Sequence, residues 1–201
     1  MKKIVLLCVA GLLVLSACSP KQTKLDTSLR LAVPTSLDKL PHDYNLQQAI
    51  ADDCVVYEDG DILSGQAVWD AFAEKCESGQ DATVRLGFYY TLNKSQVTEE
   101  YYEQEKDNYP LLFIQDLHYD GEIYTLSEID DEDPTLLNHY RYRYMKRYEG
   151  EPDSPTASFS SYIYYVLVND DSVTWDEIMH GMFSSQWGAY IDHRTVYTTL
   201  N

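Results

Sequence analysis

Basic residues are scarce in this chain, where 15 Lys and Arg stand against 33 Asp and Glu and the net charge is −18 at pH 7. A nucleic-acid-binding surface needs clustered Lys and Arg to meet the phosphates, so this balance argues against nucleic acid as a partner. It also disfavours flat adhesion to an anionic lipid surface. The simplest interpretation of the charge is that it keeps a surface protein in solution.

The sequence also lacks an apolar run long enough to span a bilayer comfortably, which takes about 20 residues. Its apolar stretch Ile4–Leu15 follows the basic start Met1-Lys2-Lys3 and precedes small residues. A positive start, a short apolar segment and small residues are the layout of a secretory signal. Residues 1–17 are therefore predicted to be a signal peptide.

The residues that end this stretch, Leu15-Ser16-Ala17-Cys18, resemble the bacterial lipobox. The resemblance implies that the Cys18 sulfur receives a diacylglycerol, that the chain is cut before Cys18, and that the new amino terminus can be acylated. Two or more acyl chains, at about 0.8 kcal/mol for each buried methylene, anchor a protein durably. We expect a lipoprotein on the extracytoplasmic face of the cell membrane, with a net charge changed from −18 to −20 by the loss of Lys2 and Lys3.

Cysteine is scarce as well, with four in the whole chain. If Cys8 leaves with the signal and Cys18 is lipidated, the mature domain keeps Cys54 and Cys76. Two cysteines in an exported domain can form one disulfide if their Cα atoms lie within about 7 Å. Two buried thiols or a reactive cysteine are the alternatives, and no C-x-x-C motif or adjacent histidine supports the last.

Three segments are expected along the chain. Residues 1–17 form the signal peptide, residues 18–40 form a flexible tether of Ser, Thr, Lys and Pro with scattered apolar positions, and residues 41–201 form a single domain. That length is enough to bury a core without cross-links.

Turn dipeptides and capping residues predict much of the local structure. Asp59-Gly60 and Asp120-Gly121 indicate tight hairpins, because such pairs adopt positive φ angles easily. Ser64 is the expected cap of one helix, and Thr174 with Glu177 forms the capping box of another.

The strand patterns predict the fold class. Val84, Leu86 and Phe88 are expected on one side of a strand, and residues 139–150, "HYRYRYMKRYEG", alternate basic and tyrosine residues as a single strand with one basic face would. Strands occur in runs without regular alternation with helices. The expected class is α+β, a mainly antiparallel sheet with a few short helices packed on it.

The first half of the expected domain resembles a family of uncharacterised lipoproteins from Gram-positive bacteria that is defined by a domain of unknown function. The resemblance is carried by "AIADDCVVY", by "SGQAVWDAFAEKCESG", by the Tyr90-Thr91 pair that ends a strand, and by the hairpin Asp116–Gly121. It implies an exported, lipid-anchored α+β protein. It carries over no catalytic residue.

Tyrosine is the most over-used residue and is concentrated in three predicted strands. Its flat apolar ring and hydrogen-bonding tip suit a platform for sugar rings or a peptide. The candidate surface consists of Tyr89, Tyr140, Tyr142 and Tyr144. Half-exposed sheet positions also favour tyrosine without any function, so this alternative stays open.

Two charged groups have both functional and structural interpretations. Arg141, Arg143, Lys146 and Arg147 could receive an anionic ligand or pair with the acidic segment 130–133. In the other group, Asp116, His118, Asp120 and Glu122 share one face of a strand, as a metal site or a pair of catalytic carboxylates would require. Asp120 is also needed by its turn.

A third group, Asp192 and His193 with Ser184 and Ser185, contains the residue types of a hydrolase triad. Neighbours on a strand point to opposite faces, so Asp192 is poorly placed to orient His193. No nucleophile elbow, phosphate loop or H-E-x-x-H helix is present, and no cofactor or metal is expected.

Two functions are carried forward from the sequence. The first is a non-enzymatic, lipid-anchored module that binds an envelope protein, a peptide or a carbohydrate on a tyrosine-rich sheet. The second is a hydrolase acting on envelope or dietary glycans through carboxylates near Asp116–Glu122. An open aromatic face would favour the first, and a concave pocket with two convergent carboxyl groups would favour the second.

Overall fold

A computed structural model of the chain describes residues 35–130, 132–152, 154–185 and 188–201. The predicted signal peptide, Cys18 and the first part of the predicted tether lie outside the described residues. No helix in the described ranges is both long enough and apolar enough to cross a membrane.

The described chain contains four α-helices and nine strands. The helices are α1 Leu46–Ala51, α2 Gln66–Glu77, α3 Glu99–Glu105 and α4 Trp175–Phe183. The strands are β1 Val55–Glu58, β2 Asp61–Ser64, β3 Ala82–Tyr90, β4 Leu111–Tyr119, β5 Tyr124–Ile129, β6 Leu137–Tyr142, β7 Tyr144–Gly150, β8 Tyr162–Val168 and β9 His193–Leu200. The α+β class predicted from the sequence is confirmed.

The strands form two sheets. Sheet A has six strands in the order β2-β1-β3-β4-β5-β6, and sheet B has three in the order β7-β8-β9. Every neighbouring pair is antiparallel except β1 and β3, which are parallel and are connected through β2 and α2. Sheet A is therefore mixed. The chain forms two sheets, whereas a single sheet was expected from the sequence.

The predicted single strand over residues 139–150 is wrong, because the chain changes sheets at Arg143. Tyr142 ends β6 opposite Tyr124 in sheet A, whereas Tyr144 begins β7 opposite Val168 in sheet B. The backbone N–H of Arg143 donates to the side-chain oxygen of Asn169 instead of joining either ladder. The alternating sequence continues through this break, which is why the pattern did not reveal it.

The main core lies between sheet A, sheet B and α2. Trp69 and Phe72 of α2 pack against Leu86 and Leu117 of sheet A and against Leu167 of sheet B, and all five are fully buried. Val84, Leu86 and Phe88, at alternate positions of β3, face this core as predicted. We call this side of sheet A its inner face.

The outer face of sheet A is covered in part by α1 and by a 3-10 turn at Leu37–Lys39. Leu37 is only 3% exposed and packs in a second apolar cluster with Val56 and Ile114. The predicted tether was drawn to residue 40, but its described part lies against the domain, since burying Leu37 removes an apolar side chain from water.

The local signals of the sequence correspond to the observed turns and caps. Asp59 and Gly60 both have positive φ in the hairpin between β1 and β2, and Thr174 with Glu177 forms the predicted capping box of α4. Asn45 caps α1. The cap of α2 is Gly65 in the left-handed region, with no side-chain hydrogen bond, instead of the predicted Ser64.

Candidate functional site

A row of aromatic rings runs from the core to the surface along the inner face of sheet A. Tyr57 stacks on Phe88 with ring centroids 5.3 Å apart, and it meets Tyr197 of sheet B edge-on at 6.2 Å. Phe88 is the cross-strand partner of Phe113, whose ring is 5.9 Å from that of Tyr90. Phe113 and Tyr90, at 46% and 42% exposed, end the row in solvent.

These rings line a cleft between the two sheets, which we call the inter-sheet cleft. Its larger lobe has a volume of about 560 Å³ and its smaller lobe about 270 Å³. The lobes share Phe88 and Tyr90 of β3 and Thr195 of β9. Pockets of roughly 300–1,000 Å³ with aromatic walls and a few polar groups are typical of small-ligand sites.

Hydrogen bonds from sheet B to sheet A and to α2 fix the smaller lobe. The backbone N–H of Thr198 in β9 donates to the Tyr57 hydroxyl at 2.9 Å, and the Tyr197 hydroxyl donates to Gln66 of α2 at 2.5 Å. The Tyr197 ring also stacks on Trp69, with centroids 4.2 Å apart. The wall of the cleft is thus continuous with the packed core.

Polar groups lie in the larger lobe and beside it. Gln115 donates to the Glu128 carboxylate across β4 and β5 at 2.8 Å. A hydrogen bond with the same carboxylate raises the pKa of Tyr140. The guanidinium of Arg194 lies 4.6 Å from the centre of the Tyr140 ring and donates to the carbonyl oxygen of His193.

The four tyrosines of the predicted ligand surface do not share an open face. Tyr140 and Tyr142 lie on the inner face of sheet A, but Tyr142 is only 1% exposed and donates to Asp192 at 3.2 Å. Tyr89 is on alternate positions from Phe88 and so faces the other side of the sheet. Tyr144 belongs to sheet B. The structure brings together Tyr90, Phe88 and Phe113 instead.

The carboxylates near Asp116–Glu122 have structural partners. Asp116 receives two hydrogen bonds from Arg85, at 2.7 Å from Nε and 2.8 Å from Nη2. One oxygen of Asp120 accepts the backbone N–H groups of Glu122 and Ile123 and so holds the turn, which lowers the pKa of Asp120. Glu122 lies exposed on the same turn.

The histidine of this group is bound to a neighbouring strand. His118 Nδ1 is 2.9 Å from the Thr83 hydroxyl, and its Nε2 is 3.8 Å from Asp81. Within the described ranges, no three His, Cys, Asp or Glu side chains come together as a metal site. The predicted metal or acid–base interpretation of this hairpin gains no support from its geometry.

The Asp192 and His193 pair does not form a triad. His193 Nδ1 lies 2.7 Å from the carbonyl oxygen of Ile191, and Asp192 accepts the Tyr142 hydroxyl. The two side chains therefore have separate partners, and Asp192 lies just before β9, which begins at His193.

The predicted basic cluster is divided between the sheets. Arg141 lies in β6, Arg143 at the crossing, and Lys146 and Arg147 in β7. Lys146 donates to the carbonyl oxygens of Asp171 and Val173. Arg147 pairs with Glu149 at 2.7 Å. Lys146 and Arg147 thus have partners other than the described residues of segment 130–133, of which Asp130 accepts backbone N–H groups of its own turn.

Cys54 and Cys76 are both buried free thiols in this structure. Cys76 on α2 belongs to the main core, and Cys54 belongs to the cluster on the outer face of sheet A, so the sheet separates them. Of the alternatives left open by the sequence, the structure has the two buried thiols, and the possible disulfide is not formed in it. Burial raises the pKa of Cys54 to about 11 and that of Cys76 to about 12.

Both thiols are therefore expected to resist alkylation in the folded protein. Only the thiolate reacts with iodoacetamide, and a raised pKa means that the thiol loses its proton only well above neutral pH. Peptide mapping after labelling at pH 8 should show Cys54 and Cys76 unmodified, and both modified when urea is added. Labelling of either residue without denaturant, or a mass showing a disulfide between them, would contradict the structure.

No protein-family model, no curated protein and no solved structure matches the chain. The candidate site is therefore defined by geometry alone. The sequence pattern identified the strands that contain Phe88 and Phe113. It could not show that they form a site, because Thr195 on the opposite sheet is separated from them by most of the domain.

Proposed function

We propose that this protein is a lipid-anchored extracytoplasmic binding module whose ligand site is the inter-sheet cleft. The observation that carries the site is the aromatic row, in which Tyr57 and Phe88 are packed and Phe113 and Tyr90 remain exposed beside an open volume. Aromatic side chains left in contact with water at a concave surface favour ligand binding.

The packing of the row supports a preformed site. Phe88 is held between its stacking partner Tyr57 and its cross-strand partner Phe113, and Tyr57 is fixed by the hydrogen bond from Thr198. A rigid wall loses little conformational entropy when a ligand binds, so more of the contact energy is expressed as affinity.

The anchor follows from the sequence signal at Cys18. A module tethered at this residue would work at the outer surface of the membrane, and its strong negative charge favours separation of the domain from anionic lipid. An envelope protein, a peptide or a carbohydrate remain the ligand classes proposed from the sequence.

The anchor is tested by the mass of the protein in the membrane fraction of a Gram-positive host. We expect a mature chain that begins at Cys18 and carries a diacylglycerol on its sulfur. Cys18→Ser should release the protein from the membrane or leave it uncleaved, and Cys8→Ser is the matched control that should change neither. An unmodified Cys18 with residues 1–17 retained would contradict the proposed anchor.

The site is tested by ligand-induced stabilisation, because a compound that binds the folded state raises its melting temperature. Compounds that stabilise the wild type should no longer stabilise Phe113→Ala, which removes one wall of the cleft. Tyr144→Ala removes an aromatic ring of similar exposure on sheet B and should keep the response. Equal responses in both variants would contradict the inter-sheet cleft as the site.

A further inference from the structure

The charge of the inter-sheet cleft is of one sign. Glu128 and Asp130 line its larger lobe together with Phe88, Tyr90 and Phe113. Among the described residues that line either lobe, there is no Lys, Arg or His. The aromatic wall is therefore paired with negative charge alone.

The two carboxylates differ in how much capacity they keep to accept a hydrogen bond from a ligand. Asp130 accepts the backbone N–H groups of Glu132 and Asp133 and the side-chain amide of Asn138, and these bonds hold its pKa below the usual range. Asp130 therefore contributes a negative charge at neutral pH. Glu128 accepts Gln115 and interacts with Tyr140. A carboxylate offers about four acceptor positions, so Glu128 keeps capacity for a further donor.

Arg194 is a basic group that contacts Tyr140, and it has partners of its own. Its guanidinium lies over the Tyr140 ring and donates to the carbonyl oxygen of His193. Arg194 is not among the residues that line either lobe of the cleft. Glu128 is thus next to the aromatic wall without a basic partner in the lining.

Aromatic faces and carboxylates attract the same class of ligand. The negative face of an aromatic ring stabilises a cation that lies over it, and the effect grows when water is excluded. The net charge of −18 adds a long-range field that raises the local concentration of cations. Apolar groups, in turn, are favoured against Phe88 and Phe113.

We propose that the inter-sheet cleft binds an organic cation, an amine or guanidine carried on an apolar body. The apolar body packs on the exposed rings of Phe113 and Tyr90 beside Phe88, and the cationic group donates to Glu128. This assignment rests on the proposed function, since it names the ligand class of the same site.

The test compares three probes of the same shape with the complete mature protein. They are 2-phenylethylammonium, its neutral counterpart 2-phenylethanol and the anion 3-phenylpropionate, with affinity measured by backbone amide shifts in NMR titrations. We expect the cation to bind about tenfold more tightly than the neutral probe and the anion more weakly than both, because a hydrogen bond to a charged group adds to the apolar contact.

Glu128→Gln tests the role of the carboxylate. It keeps an oxygen and the size of the side chain but removes the charge, so the cation should fall to the affinity of the neutral probe, which should itself stay unchanged. Glu122→Gln removes the same charge on an exposed turn away from the cleft and is the matched control for the long-range field. It should leave the tenfold preference almost intact.

The outcomes separate this inference from the proposed function. If all three probes bind in the cleft equally, or the anion binds best, the cationic assignment is overturned while the binding site stands. If Glu122→Gln weakens the cation as much as Glu128→Gln does, the carboxylate contact is likewise overturned. If none of the probes shifts amides around Phe88 and Phe113, the cationic assignment is overturned, and the proposed site is then decided by the stabilisation test with Phe113→Ala.

Discussion

Asp116→Ala is expected to lower the free energy of unfolding by about 3–5 kcal/mol, because it leaves a buried guanidinium without its counter-charge. Arg85 is only 5% exposed, and its charge is met by both oxygens of Asp116. Arg85 also donates to the carbonyl oxygen of Thr35, at the start of the described residues. An unpaired buried charge costs far more than the net gain of forming the pair.

The loss should be recovered when the charge is removed as well. Arg85→Met combined with Asp116→Leu replaces the pair by apolar side chains and should be more stable than Asp116→Ala alone. Glu149→Ala removes one partner of the exposed Arg147 pair and is the control, since exposed ion pairs contribute little. Urea unfolding curves give all three values. A loss in Asp116→Ala no larger than in Glu149→Ala would contradict the buried pair.

The second large effect is expected for Gly65→Ala, which should lower the free energy of unfolding by about 2–4 kcal/mol. Gly65 caps α2 with φ +86°, a conformation that costs other residues about 1–2 kcal/mol. A Cβ there would lie 2.6 Å from the Cα of Val55 and still closer to the Cys54 carbonyl oxygen. The backbone of β1 or of α2 must move to remove this overlap, which adds a packing cost.

Gly79→Ala is the matched control for the conformational part. Gly79 follows α2 with φ +68°, but a Cβ at this position would meet no atom within 4 Å. Its loss should be about 1 kcal/mol and should contain no packing cost. Similar losses in the two variants, measured by urea unfolding, would show that the close approach of Gly65 to β1 is not important for stability.

The position of α2 links this stability to the cleft. Trp69 of α2 stacks on Tyr197, and the Tyr197 hydroxyl donates to Gln66 of the same helix. A shift of α2 would therefore move Tyr197. Tyr197 contacts Tyr57, the inner member of the aromatic row. Gly65→Ala is therefore expected to change the site as well as the stability.

Local structure could be predicted from the sequence where one short segment contains all the required partners. Both Asp-Gly hairpins and the Thr174 capping box are of this kind. The crossing at Arg143 could not be predicted, because the side chain that accepts the Arg143 backbone N–H there belongs to Asn169, 26 positions away. The alternation of tyrosines indicates which residues share a face of a strand. It does not indicate which face packs against the rest of the protein.

The site was harder to predict than the fold for the same reason. Phe88 and Phe113 are ordinary apolar strand positions until sheet B is placed opposite them with Thr195 at the rim. The hairpin Asp116–Gly121, in contrast, contained functional residue types in a small space. Its carboxylates bind Arg85 and the turn backbone, contacts that a strand pattern does not distinguish from catalysis.

The lipoprotein resemblance and the tether remain predictions from the sequence. Cys18 lies outside the described residues, and the described end of the expected tether already contacts the domain through Leu37 and Thr35. The described part of the expected tether, from residue 35 onward, therefore packs with the domain.

The central claim is that ligands bind between the two sheets, and chemical-shift mapping tests it most directly. Amide spectra of the mature protein, recorded with a set of amines, sugars and short peptides, should show changes that converge on Phe88, Tyr90, Phe113 and Thr195. Changes confined to Tyr144 and the exposed positions of sheet B, or to the hairpin at Asp120, would contradict the account.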